Sequence, residues 1–402
     1  MNALPKNILE ATDLTRRGRL KEAMALLRGD PLSPADAAGE QRELRGSILD
    51  IMRSQAAGDI RSAPQFGGGL GKGFEGLGQR HMDGRLRSLL DRIGQTGSLR
   101  ALEGLVKPAV VRAPPSIPHG ARFEERAFAN AAGSRHYKLY VPSRHRGEAL
   151  PLIVMLHGCT QSPDDFAAGT RMNDVAEEHT CLVAYPAQAQ SANISKCWNW
   201  FNANDQQRDR GEPSIIAGIT REVMGDLPVE RGRVYIAGLS AGGAAAAIMG
   251  WTYPDLYAAI GVHSGLACGA ASDVPSAFAA MRTGAAARSP HHDGARSVIP
   301  TIVFHGDRDT TVNLVNGDQV ITQAKAAAYL RADVIQGEAG GLHYTRTVHV
   351  DEGGQPVLEQ WVLHGGGHAW SGGSTVGSYT DPRGPDASRE MIRFFFGQAS
   401  SE

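Results

Sequence analysis

The chain is short of several things, and each shortage excludes a class of protein. Its 41 basic and 42 acidic residues nearly cancel, leaving a formal charge of −1. With no surplus of positive charge, nucleic acid is not an expected partner. No run of 18 or more apolar residues occurs in the 402 positions, so no segment reads as a transmembrane helix. The first 27 residues are interrupted by Lys6, Glu10, Asp13, Arg16, Arg17 and Arg19, whereas a secretory leader needs an unbroken apolar stretch. A cytoplasmic location is the expectation from that segment. Four cysteines are too few for a disulfide scaffold at this length, and they admit three full pairings among which spacing does not choose. No Cys-x-x-Cys pair exists, so a zinc ribbon has no ligands.

What remains is an ordinary globular composition, 42% hydrophobic and 21% charged, without the bias of a disordered chain. The length suits one large domain plus an extra element. Residues 1–110 read as a helical N-terminal extension: Ile8 to Leu27 and Ala37 to Met52 place apolar residues at helical spacing, with a break at Gly29-Asp30-Pro31 and Pro34. A glycine-rich stretch over about 65–80 reads as a flexible linker. Gly71-Lys72 within it is followed by Gly73 rather than Ser or Thr, and no strand precedes it, so nucleotide binding is not expected.

From about Glu124 strands and helices alternate. Arg135–Val141, Leu152–Leu156, Cys181–Tyr185, Arg233–Ala237 and Thr301–Phe304 read as strands, several of them apolar throughout, as in a sheet covered on both faces. Ile215–Met224 and Gly242–Met249 read as intervening helices. The expected class is α/β, with a mostly parallel central sheet flanked by helices over residues 120–397.

One segment adds chemistry to this pattern. Val234 to Ala237 is a strand, Gly238-Leu239-Ser240-Ala241-Gly242 follows, and an alanine-rich helix comes next. Gly-x-Ser-x-Gly between strand and helix places the serine on a sharp turn, its hydroxyl exposed. A hydroxyl needs a base to become a nucleophile, and acid and base are expected later in the chain, in that order. Asp307 and Asp309 follow the strand ending at Phe304, and His368 follows three glycines. Either aspartate could orient the imidazole of His368. The oxyanion that forms during acyl transfer needs backbone amides. Ala241, next to the serine, and Cys159, just past the strand ending at Leu156, are the candidates. His157 and His305 read as loop supports, and His291-His292 as surface loop. Trp198, Trp200 and Trp370 flank the motif positions, as an aromatic wall for the substrate or as plain core packing.

Leu156-His157-Gly158-Cys159-Thr160-Gln161, Cys197-Trp198-Asn199-Trp200, the serine motif, His305-Gly306-Asp307-Arg308-Asp309 and Gly367-His368-Ala369-Trp370 together resemble the polyhydroxybutyrate depolymerase family of esterases, relatives of feruloyl and acetylxylan esterases. The resemblance covers about residues 120–397. It implies an α/β-hydrolase fold, a triad of Ser240, Asp309 and His368, and a disulfide between Cys159 and Cys197. The implied activity is hydrolysis of carboxylic esters through an acyl-enzyme, without metal or organic cofactor. Polyhydroxyalkanoate chains or related short esters are the first substrate class, and feruloyl or acetylated carbohydrates the second. A granule- or partner-binding role on a silent hydrolase fold is the non-enzymatic alternative. The resemblance also admits an extracellular location; oligomeric state is left open.

Overall fold

The computed structural model describes residues 117–285, 299–325 and 329–398. The helices and linker expected within residues 1–110, and the His291-His292 pair, lie outside the described residues.

Ten strands make the main sheet: β1 (Arg122–Asn130), β2 (Gly133–Val141), β3 (Leu150–Leu156), β4 (Leu182–Pro186), β5 (Val229–Leu239), β6 (Ala259–His263), β7 (Thr301–Gly306), β8 (Arg331–Ala339), β9 (Leu342–Val350) and β10 (Pro356–Leu363). Their order is β1-β2-β4-β3-β5-β6-β7-β10-β9-β8. The six strands from β4 to β10 in that order are parallel, and antiparallel strands flank them on both sides. This is the mostly parallel sheet of an α/β-hydrolase fold.

Residue type explains the middle of the sheet. In β3 every side chain is buried, and successive residues turn to opposite faces. Leu152, Val154 and Leu156 join one apolar cluster, while Ile153 and Met155 join the other. Each such side chain removed from water contributes about 1.5–3 kcal/mol. The described helices are α1 (Pro163–Thr170), α2 (Met172–His179), α3 (Gly211–Asp226), α4 (Ala241–Thr252), α5 (Val274–Thr283), α6 (Val315–Lys325) and α7 (Ala387–Phe396), beside a short 3-10 turn at Ala203–Gln206 and a small parallel pair, Trp370–Ser371 with Thr380–Asp381. Ser162 caps α1 by accepting the Asp165 amide at 3.2 Å. In α7 the buried residues Ala387, Ser388, Met391, Ile392, Phe394 and Phe395 recur at helical spacing and cover one face of the sheet.

The five strands read from sequence correspond to β2, β3, β4, β5 and β7. The hairpin β8–β9 was not legible, because β8 is almost entirely exposed and has no apolar face to reveal a period. In β6, only five residues long with Gly261 at its centre, there is too little pattern to detect.

One charged group sits inside this framework. Glu359 on β10 is fully buried. It accepts bonds from Arg346 on β9 at 2.7 and 3.1 Å and from Arg393 on α7 at 2.6 Å. Removing a buried carboxylate leaves its partners unpaired, and the two arginines keep some access to water, which softens the loss. Glu359→Ala is expected to lower the unfolding free energy by about 2–4 kcal/mol, read as the urea midpoint. Glu178→Ala, which removes the exposed pair with Arg389, should leave that midpoint nearly unchanged.

Candidate active site

The candidate residues gather beyond the C-terminal ends of the parallel strands. Between β5, which ends at Leu239, and α4, which begins at Ala241, the chain turns at Ser240 with φ 56° and ψ −119°. A non-glycine residue held there stores on the order of 1–3 kcal/mol of strain. The turn is too tight for side chains on its glycines. A Cβ on Gly242 would lie 2.0 Å from the Leu156 carbonyl oxygen, and one on Gly238 would lie 2.4 Å from Gly242. The Ser240 amide donates to the His263 carbonyl at 2.9 Å, which ties the turn to the end of β6. Ser240 is half-buried, and its hydroxyl makes no hydrogen bond among the described residues. Ala241, as the first residue of α4, has an amide with no intrahelical acceptor.

Two strands further along, the loop after β7 separates the two aspartates by role. Asp309 Oδ2 lies 2.7 Å from His368 Nδ1, while its Oδ1 accepts the amides of Thr311 and Val312, both at 2.8 Å. Burial would raise this carboxyl, but the His368 hydrogen bond and charge, with the Val312 amide, hold it below the usual aspartate value. Asp307 turns elsewhere: it meets His364 Nδ1 at 3.0 Å and accepts the Gly365 amide at 2.7 Å. It thereby clamps the start of the loop that presents His368. The imidazole of His305 donates to the Val312 carbonyl at 2.8 Å and lies 3.6 Å from Asp309, so it buttresses the loop after β7, as the sequence suggested. His368 keeps 12% of its side chain exposed, enough to meet a reactant.

The loop after β3 lies against the serine turn: a Cβ on Gly158 would be 3.6 Å from Ser240 Cβ. Gly158 donates its amide to Gln161 Oε1 at 2.8 Å, and Thr160 donates to the Ser195 carbonyl at 2.7 Å. The Cys159 amide between them has no acceptor among the described residues. Cys159 is disulfide-bonded to Cys197, 38 positions on, and a loop of that length is constrained by a few kcal/mol in the unfolded state. The other two cysteines, Cys181 and Cys268, are buried and reduced. His157 is fully enclosed: its Nδ1 donates to the Gly158 carbonyl at 2.7 Å and its Nε2 accepts the Gln188 amide at 3.0 Å. Both ring nitrogens are thus committed, and the residue is a loop support rather than a second base.

The aromatic wall is a correction. Trp198 and Trp370 have no exposed surface and Trp200 only 6%, so Trp198 and Trp370 cannot face a substrate. Their indole N–H groups are also spent: Trp198 donates to the His157 carbonyl at 3.0 Å and Trp370 to Ser388 Oγ at 3.1 Å. Trp200 packs edge-on to Phe201 in the core.

Sequence reasoning missed three supports. Gln161 Nε2 bonds Asp165 at 3.0 Å and the Ser378 carbonyl at 3.1 Å, joining the loop after β3 to the segment beyond His368. His263 stacks on Trp370 at 5.1 Å and accepts the Ser371 amide at 3.1 Å. Gln188 holds His157. The Gln161 signal was present in the Cys-Thr-Gln run, but its distant partner, Ser378, lies 217 positions away.

Burial pushes His157 down to about 4 and His263 down to about 3; nearby His305 and His368 add to the effect at His263. An unfolded chain protonates both near 6.5, so the neutral forms contribute stability above that pH that is lost as pH falls toward 4. Burial and the Asp205 charge raise Glu212 to about 6; it takes up a proton on folding and offsets part of this below pH 6. The urea midpoint is therefore expected to fall between pH 7 and pH 5. A midpoint that holds or rises over that interval would contradict the buried neutral histidines.

Comparison with known proteins places this architecture. The family described as esterase PHB depolymerase matches residues 135–340, half of the chain. The chain is 29% identical over 252 residues to poly(3-hydroxyalkanoate) depolymerase C of Paucimonas lemoignei, covering 60% of each chain. It is 25% identical over 264 residues to poly(3-hydroxybutyrate) depolymerase of Ralstonia pickettii, covering 61% of this chain and 53% of that one. A probable acetylxylan esterase A of Aspergillus clavatus is 27% identical over 191 residues, 43% of this chain and 60% of that one. The match thus spans 53 to 60% of the length of these relatives. By the extent of the family match, the chain belongs to the esterase PHB depolymerase family.

Proposed function

We propose that this protein hydrolyses carboxylic esters by a serine mechanism in which Ser240 is the nucleophile, His368 the base and Asp309 its orienting acid. The observation that carries the proposal is the His368–Asp309 contact of 2.7 Å beyond the same sheet edge as the strained serine turn. Ser240 attacks the ester carbonyl as His368 takes its proton, and the amides of Cys159 and Ala241 hold the developing oxyanion. The Asp309 carboxylate fixes the imidazole with Nδ1 as donor, which leaves Nε2 to accept. The same imidazole then protonates the departing alcohol and activates the water that releases the acid.

Esters of short hydroxy acids, as oligomers or polymer, are the substrate class favoured by the two depolymerases in the comparison. The similarity to a named acetylxylan esterase supports a second reading, acyl esters of carbohydrates. Parallel rates on 3-hydroxybutyrate oligomers and on acetylated xylo-oligosaccharides separate them.

Ser240→Ala is expected to lower kcat on p-nitrophenyl butyrate by at least about 1,000-fold, with an unchanged circular dichroism spectrum. Turnover near that of the parent would overturn the nucleophile. Asp309→Asn should cost about 10,000-fold and Asp307→Asn far less; the reverse ranking would assign the acid to Asp307.

A further inference from the structure

We propose that Glu212, outside the reacting groups, is a positioning residue for the loop at 157–161 and so for the Cys159 amide. The inference rests on the proposed oxyanion role of that amide. Glu212 sits in the first turn of α3 with only 6% of its surface exposed. Taking a carboxylate out of water there is costly unless donors surround it, and its donors all lead toward one loop.

Two routes run from it. Along the first, Glu212 Oε1 accepts from Gln188 Nε2, whose backbone amide in turn donates to His157 Nε2 at 3.0 Å. His157 donates to the Gly158 carbonyl at 2.7 Å, one residue from Cys159. Gln188 Nε2 also reaches the Cys197 carbonyl at 2.8 Å, and Gln188 Oε1 accepts from Arg135 Nε at 2.8 Å. Along the second, Glu212 accepts the Asn199 amide at 2.7 Å and Asn199 Nδ2 at 2.8 Å. Asn199 follows Cys197 and Trp198 directly; the disulfide grips Cys159, and the Trp198 indole donates to the His157 carbonyl at 3.0 Å.

Together the two routes engage both carboxylate oxygens, Oε1 by Gln188 and Asn199 Nδ2 and Oε2 by the Asn199 amide. Arg135 also pairs with Oε1, at 3.4 Å, while the neutral N–H donors of Gln188 and Asn199 stand closer and do most of the positioning. An amide in place of the carboxylate would present N–H to groups that are themselves donors. The loop would relax, and the Cys159 amide would leave the place where oxyanion charge develops.

The test is Glu212→Gln at pH 8, where Glu212, near 6, is ionised in the parent. Because an oxyanion donor acts in the transition state and not on bound substrate, the loss belongs in kcat rather than KM. We expect kcat on p-nitrophenyl butyrate to fall about 10- to 100-fold with KM changed less than about threefold. The inhibition constant of an aryl boronic acid, which forms a tetrahedral anion on serine, should rise by the same factor. Amide hydrogen exchange in segments 157–161 and 197–200 should accelerate in the folded variant. Values of kcat and inhibition constant within twofold of the parent, or exchange unchanged in both segments, overturn the proposal. If Glu212→Gln does not fold, Gln188→Met cuts the first route alone. It should move kcat and the boronic acid constant together by about 3- to 10-fold, and no movement again overturns the proposal. A parent that neither hydrolyses esters nor binds the boronic acid would sink the esterase mechanism by itself, and the exchange measurement would then decide on Glu212 separately.

Discussion

Where Gly242 passes the Leu156 and His157 carbonyls there is no room for a single methyl group, since a Cβ would stand 2.0 and 2.6 Å from those oxygens. That approach presses the serine turn onto the end of β3. It forces Ser240 into a positive φ and brings Gly158, at the head of the neighbouring loop, beside it. The rest of the site is arranged around this contact. β5, which ends in the turn, has β3 on one side and β6 on the other. The loop with the candidate oxyanion amide and the strand whose last carbonyl receives the Ser240 amide are therefore its immediate neighbours.

A parallel sheet then brings in the remaining chemistry. Because β5, β7 and β10 all run in the same sense, the segments following each emerge at one edge, however far apart they lie in the chain. Loops alone would hold them loosely, and here they are fastened by side chains. Asp307 pins the start of the His368 loop, and Gln161 links the loop after β3 to the Ser378 region. His263 bridges β6 and the backbone after Trp370.

Four histidines near this edge illustrate how environment, not residue type, assigns roles. His157 and His263 are enclosed and held neutral by burial, and His305 is likewise depressed by burial. Of these four, His368 alone combines a carboxylate bonded to one ring nitrogen with an opening to the surroundings. The same distinction removes Trp198 and Trp370 from the substrate surface: their size suited the core, and their indole N–H groups found a backbone and a hydroxyl acceptor there.

The order of residues was enough to establish the α/β class and the strand–turn–helix around Ser240, to single out His368 as the proposed base, and to give His157 and His305 their support roles. Those features are local: an apolar run in β3, two glycines four apart, glycines before His368. Residue pattern left both Asp307 and Asp309 as candidates, with Asp307 the more natural turn residue, and the resemblance that chiefly favoured Asp309 carried no geometry. The choice appears only in space, because each carboxylate is defined by which imidazole, His364 or His368, the β10 end brings to it. The burial of Trp198 and Trp370, the clamp through Gln161 and the Glu212 network are likewise tertiary. Each depends on contacts between segments whose separation along the chain leaves no periodic trace, so only the packed fold decides them.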